Sequence, residues 1–139
     1  MRAGALIIIA GLGFGAVPLA AHGVGCTNAS LKGAYGVTEK GGFPIPLITT
    51  TFDSVGIFNF DGAGHFTFDH TITYTDGTTG SEILQLTYTV TPDCKFSFAY
   101  SNGETFFGVI VNNGQGLIYA EDASDGVERT ASGTKIRTE

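Results

Sequence analysis

Basic residues are scarce in this sequence: seven Lys and Arg stand against thirteen Asp and Glu. Six of the seven lie beyond residue 21, with all thirteen acids, so that portion carries a net charge of about −7. Nucleic acid and anionic membrane surfaces, which need basic patches, are therefore disfavoured as partners. Cysteine occurs twice, at Cys26 and Cys94. That spacing rules out a CxxC redox pair, and with His22 alone near Cys26 and no His near Cys94 the sequence offers too few ligands to suggest a zinc site. The signatures of nucleophilic and phosphate chemistry are missing as well. There is no GxSxG, and the glycine-rich stretches fall between strand-like segments rather than before a helix. No apolar run approaches the roughly 20 residues of a membrane span.

The first residues, MRAGALIIIAGLGFGAVPLAA, form a segment of their own. One charge, Arg2, precedes an apolar run from Ala5 to Phe14, then Pro18 and the small pair Ala20–Ala21. This order is that of a secretory signal. We read residues 1–21 as a signal peptide with an apolar helix, and residues 22–139 as one domain, secreted or periplasmic. Val24-Gly25-Cys26 leaves lipid anchoring through Cys26 as the alternative, although Gly23 stands where lipoprotein signals usually carry Leu. In an exported chain two cysteines imply a Cys26–Cys94 disulfide. Closing a loop of roughly 70 residues contributes roughly 4 kcal/mol in the chain-entropy description.

Beyond the signal, helix signals are nearly absent. Gly, Thr, Phe, Tyr, Val and Ile dominate, punctuated by turn clusters at 61–64, 76–80, 91–93, 102–103, 112–116 and 125–126. Eight strands are predicted, at about 33–39, 52–60, 64–75, 81–91, 94–101, 105–111, 116–122 and 127–137. Residues 40–51 (KGGFPIPLITTT) are expected to be a long loop, since Pro44 and Pro46 oppose regular pairing, and such a loop could act as a lid. Alternation places Phe66, Phe68, His70, Ile72 and Tyr74 on one face of the third strand. Glu82, Leu84, Leu86, Tyr88 and Val90 share a face of the fourth, and Cys94, Phe96, Phe98 and Tyr100 of the fifth. On the sixth strand the apolar face is read as Phe107, Val109 and Val111. A meander of eight strands with one apolar face each is an all-β fold. An antiparallel up-and-down barrel removes the open edges and is favoured over a β-sandwich.

Three motifs, LKGAYG (31–36), FDGAGHF (60–66) and YTVTPDC (88–94), resemble those of small exported bacterial proteins of unassigned function. Those motifs are turns and a cysteine, so they imply a fold and no chemistry. The architecture resembles the lipocalin and allene oxide cyclase barrels. The chain has no GxW lipocalin signature, and its lack of tryptophan opposes an avidin-like biotin site.

His65, Asp69 and His70 fall within six residues, a spacing that would suit a metal on a helix. On a strand, His65 and Asp69 are about 13 Å apart and His70 points the other way, so no metal site is expected. No cofactor is implied. His70 lies on the apolar face and needs hydrogen-bond partners there. With Tyr74, Glu82, Tyr88, Phe98 and Tyr100, which share its parity, it forms the candidate lining of an interior pocket for an apolar or aromatic small molecule. The alternatives are a barrel-type cyclase or isomerase using His70, Tyr88 or Glu82, and a structural or surface-interaction protein with a packed core.

Overall fold

The computed structural model describes residues 25–45, 48–122 and 128–136. The expected signal segment lies outside these. Eight antiparallel strands run in chain order around a closed barrel. They are β1 (Lys32–Ile45), β2 (Ile48–Asp61), β3 (His65–Tyr74), β4 (Thr79–Val90), β5 (Lys95–Ala99), β6 (Thr105–Val111), β7 (Gly116–Glu121) and β8 (Glu128–Lys135). The ring closes where Tyr35 to Gly42 of β1 pair with Lys135 to Glu128 of β8. Among the described residues, no helix is long and apolar enough to cross a membrane.

One half of the interior is solid aromatic packing. Phe58, Phe66, Phe98, Phe106 and Tyr119 are buried, and Phe58 alone touches Phe60, Phe66, Phe68, Phe98 and Tyr119 with ring centroids 4.4–5.9 Å apart. Most of these contacts are edge-to-face, the arrangement that the ring quadrupole favours. The floor of this half is the segment leading into β1. Cys26 is bonded to Cys94, with the two Cα atoms 4.9 Å apart. That bond uses the Cys26 sulfur and overturns the lipid-anchor alternative. Asn28 accepts a hydrogen bond from the Val90 N–H at 2.8 Å. The Tyr88 hydroxyl lies 2.8 and 2.9 Å from the carbonyl oxygens of Asn28 and Leu31, a three-centre bond. The Tyr35 hydroxyl donates to the Gly114 carbonyl at 2.6 Å. Turns within the 60–66 and 88–94 stretches lie at this end. Asp61 Oδ1 accepts from the N–H groups of Ala63, Gly64 and His65, which fixes the β2–β3 hairpin.

Two expectations are corrected. Residues 40–51 are not a loop: β1 continues to Ile45, β2 starts at Ile48, and the two stay paired through Ile45↔Ile48. Pro44 is tolerated because it turns toward the β8 side and lies beyond Gly42↔Glu128, the last β1–β8 pair among the described residues, so its missing N–H breaks no described ladder bond. On β6 the inward residues are Phe106, Gly108 and Ile110, whereas Phe107 and Val109 are 59% and 40% exposed. The reason is Gly108. A Cβ there would stand 2.5 Å from the Phe96 ring, so the glycine gives its space to that ring and the inner face reads as weakly apolar in sequence.

The ladder between β4 and β5 is short. It holds three residue pairs, Tyr88↔Phe98, Thr89↔Ser97 and Val90↔Phe96. β4, however, pairs with β3 from Thr87 back to Thr79. The barrel wall is therefore sealed at the disulfide end and parts between β4 and β5 toward the other.

Candidate functional site

The end of the barrel away from the disulfide is polar inside. Strand alternation aims Glu39 of β1, Ser54 of β2, His70 of β3, Glu121 of β7 and Arg129 of β8 at the interior, and all five are buried. The Arg129 guanidinium is the centre. Its Nε is 3.4 Å from Glu121 Oε2, one Nη is 3.5 Å from Glu104 Oε2, and the other is 4.0 Å from Glu39 Oε2. Rings of Phe52, Phe106 and Tyr100 lie 4.9, 5.2 and 5.7 Å from its charge, within cation–π range. The Tyr119 hydroxyl donates to Glu39 Oε1 at 2.6 Å, while Glu39 Oε2 makes no hydrogen bond. Burial pulls the guanidinium pKa down, and the surrounding carboxylates, Glu39 foremost, outweigh it and raise the value. Burial, reinforced by the Glu39 charge, pushes the Tyr100 and Tyr119 phenols well above their ordinary range.

A second polar chain borders the first. Ser54 is the direct cross-strand neighbour of Glu39. Its Oγ lies 3.0 Å from His70 Nδ1, and His70 Nε2 lies 3.1 Å from Glu82 Oε1. With Nε2–H donating to the Glu82 carboxylate, Nδ1 of a neutral imidazole accepts from the Ser54 hydroxyl. The His70 side chain is 4% exposed and Glu82 is 59% exposed, so the chain runs from solvent to the interior. The imidazole stacks on Phe68 at 4.1 Å. At Gly56, its cross-strand partner, a Cβ would come within 2.4 Å of the Asp69 carbonyl oxygen and 2.6 Å of the His70 Cβ, so glycine there is what lets β2 and β3 pack this closely.

The six residues singled out in sequence separate into groups. His70, Tyr74, Glu82 and Tyr100 lie toward the polar end. Phe98 sits in the aromatic body, against Phe106, Tyr119 and Phe66. Tyr88 belongs to the opposite floor, with its hydroxyl already bonded. His65 and Asp69 face outward, away from His70. A groove of about 480 Å³ lined by Asn59, His65, Thr67, Gln85 and Thr87 runs over the outer wall of β2, β3 and β4, not the interior. Sequence reasoning missed Glu39, Ser54, Glu104, Glu121 and Arg129. For Glu39 and Glu121 the signal was available: each continues the inward parity of a buried tyrosine, Tyr35 or Tyr119.

No known protein family matches the chain, and no curated protein matches it. Similar solved structures include a de novo designed fluorescence-activating β-barrel, 12% identical, which aligns over 77% of this chain and 94% of its own with a TM-score of 0.46. A redesigned β-barrel bound to DFHBI is 14% identical over 76% of this chain and 99% of its own, with a TM-score of 0.43. At such distances the likeness carries no functional argument, and the barrel rests on its own hydrogen-bond ladder.

Proposed function

We propose that this protein is a small exported barrel that binds an apolar or aromatic small molecule at the end opposite the disulfide. His70, Tyr74, Glu82 and Tyr100 line the site, Phe98 belongs to the aromatic body beneath it, and Tyr88 has no part in it. One contrast carries this reading. At the disulfide end the buried hydroxyls of Tyr35 and Tyr88 are spent on backbone carbonyls. At the polar end Glu39 is 2% exposed, yet one of its carboxylate oxygens has no hydrogen bond. A buried polar atom left unbonded costs about 1–3 kcal/mol, a cost that a ligand donor would offset. The aromatic packing below confines any ligand to this end. Export is supported by the signal pattern of residues 1–21 and the disulfide.

Native mass spectrometry of the protein taken from its exported fraction tests this reading. A bound small molecule, lost on replacing Tyr100 and His70 with Ala, is the expected result. A ligand-free mass, with no thermal shift from aromatic compounds, would leave a packed structural protein instead. The Ser54–His70–Glu82 chain favours a second reading, acid–base chemistry on the bound molecule by a barrel-type isomerase. On that reading His70→Phe abolishes turnover and leaves binding of the apolar part intact.

A further inference from the structure

The parting of the wall leaves a strand edge open. Among the described residues, residues 79–86 of β4 pair with β3 on one side and have no backbone partner on the other. In an antiparallel ladder, successive residues turn their N–H and C=O to opposite sides. The Tyr88 N–H bonds to the Gly64 carbonyl on the β3 side. Even-numbered residues of β4 therefore serve β3, and Thr79, Ser81, Ile83 and Gln85 turn their backbone groups to the open edge.

This edge lacks the usual guards. Residues 79–86 contain no Lys, no Pro and one charge, Glu82, whose carboxylate is held by His70. At the middle of the edge stands Ile83, 67% exposed. Ile57, 40% exposed, lies in the same cross-strand row through Asp69. The outer wall thus offers two exposed isoleucines, with Asp69 between them, in a row that ends at the unpaired backbone.

We propose that β4 pairs with β4 of a second copy of this chain, antiparallel about a two-fold axis at Ile83. The edge is complementary to itself in that register. Ile83 meets its own copy and exchanges both backbone hydrogen bonds with it, Ser81 faces Gln85, and Glu82 faces Leu84, so no like charges oppose. A two-fold at Glu82 would set two carboxylates against each other, which the register at Ile83 avoids. The dimer extends the sheet from β1–β4 of one protomer to β4–β1 of the other and is independent of ligand binding at the mouth.

The test is sedimentation equilibrium over a dilution series reaching about 1 mM, the weak end of specific association, with amide hydrogen exchange at both ends of the series. Wild type should double its mass as concentration rises. The Ile83 amide should gain protection in parallel, while the Leu84 amide, bonded to β3, stays protected throughout. Ile83→Pro removes an N–H that the barrel does not use, so it should keep the barrel's circular dichroism and lose the dimer. Should that variant fail to fold, Ile83→Lys decides, weakening association about tenfold or more. A mass that stays monomeric throughout overturns the proposal. So does a dimer that the Ile83 substitutions leave intact. An Ile83 amide protected at all dilutions in a monomer would mean that another segment of the same chain covers the edge, which also overturns it.

Discussion

Arg129 is held by carboxylates of Glu39, Glu104 and Glu121 and by the faces of Phe52, Tyr100 and Phe106, with its side chain 9% exposed. Desolvating a guanidinium and its partners costs nearly as much as their attraction returns, so the cluster is not explained as a stabilising device. Removing one partner is a different matter, because the remaining charges stay buried. Arg129→Met keeps much of the side chain's volume and its contact with the rings, and leaves the carboxylates without their counter-charge. It should lower stability by about 3–5 kcal/mol, read as a fall in the urea midpoint with an unchanged slope. A loss below about 1 kcal/mol would mean that water reaches the cluster and that its groups behave as surface ions.

The turn between β4 and β5 joins two devices at one position. Cys94 closes the disulfide and has φ +64°, left-handed backbone that L residues adopt at a cost. The bond spans 68 residues, so the Cys26→Ser, Cys94→Ser pair should lose roughly 4 kcal/mol in thermal or urea unfolding. Pairing Cys26→Ser with Cys94→Gly also loses the bond but relieves the backbone, and should recover about 1 kcal/mol of that loss. If the two double variants unfold together, the turn carries no such strain. What was legible at this scale followed from period and punctuation. The alternation of Phe66, Phe68 and His70 gave β3 both its extent and its faces, and Asp61-Gly-Ala-Gly64 gave its hairpin. What was not legible depended on neighbours. Pro44 reads as a strand breaker until the last described β1–β8 pair is seen to be Gly42↔Glu128. Phe106 and Phe107 are equal claimants to the core until the Phe96 ring is seen to need the space over Gly108. The candidate site was half legible for the same reason. His70 and Glu82 are separated by 12 residues and share a parity on adjacent strands, whereas Arg129 and Glu39 meet only because the ring closes between β1 and β8.

At the scale of the whole molecule, hydroxyl groups at both ends of the barrel bind its stability to pH. Burial raises the pKa of Tyr35 and Tyr88 at the disulfide end, and of Tyr100 and Tyr119 at the polar end, where the Glu39 charge adds to it. In the unfolded chain these phenols ionise near their ordinary value of 10.0. A group whose folded pKa is raised contributes its stability in full below the unfolded value and loses it as pH climbs toward the folded one. Above about pH 10 the unfolded chain therefore releases protons that the barrel retains, and unfolding becomes easier with each increment of pH. The fall should be steep, since four phenols share the same direction. Two of them, Tyr100 and Tyr119, sit beside carboxylates that would repel a phenolate. Followed by phenolate absorbance in the near ultraviolet, the tyrosines should not titrate independently. Most of the signal should appear together with the loss of strand circular dichroism, as one cooperative alkaline transition. Replacing Tyr119 with Phe removes one of these protons and strips Glu39 of its hydrogen bond. It should make the pH dependence shallower while lowering stability at neutral pH. Phenols that ionise smoothly near pH 10 in a chain that keeps its strand signal would show that water enters the polar end freely, and would count against a desolvated site there.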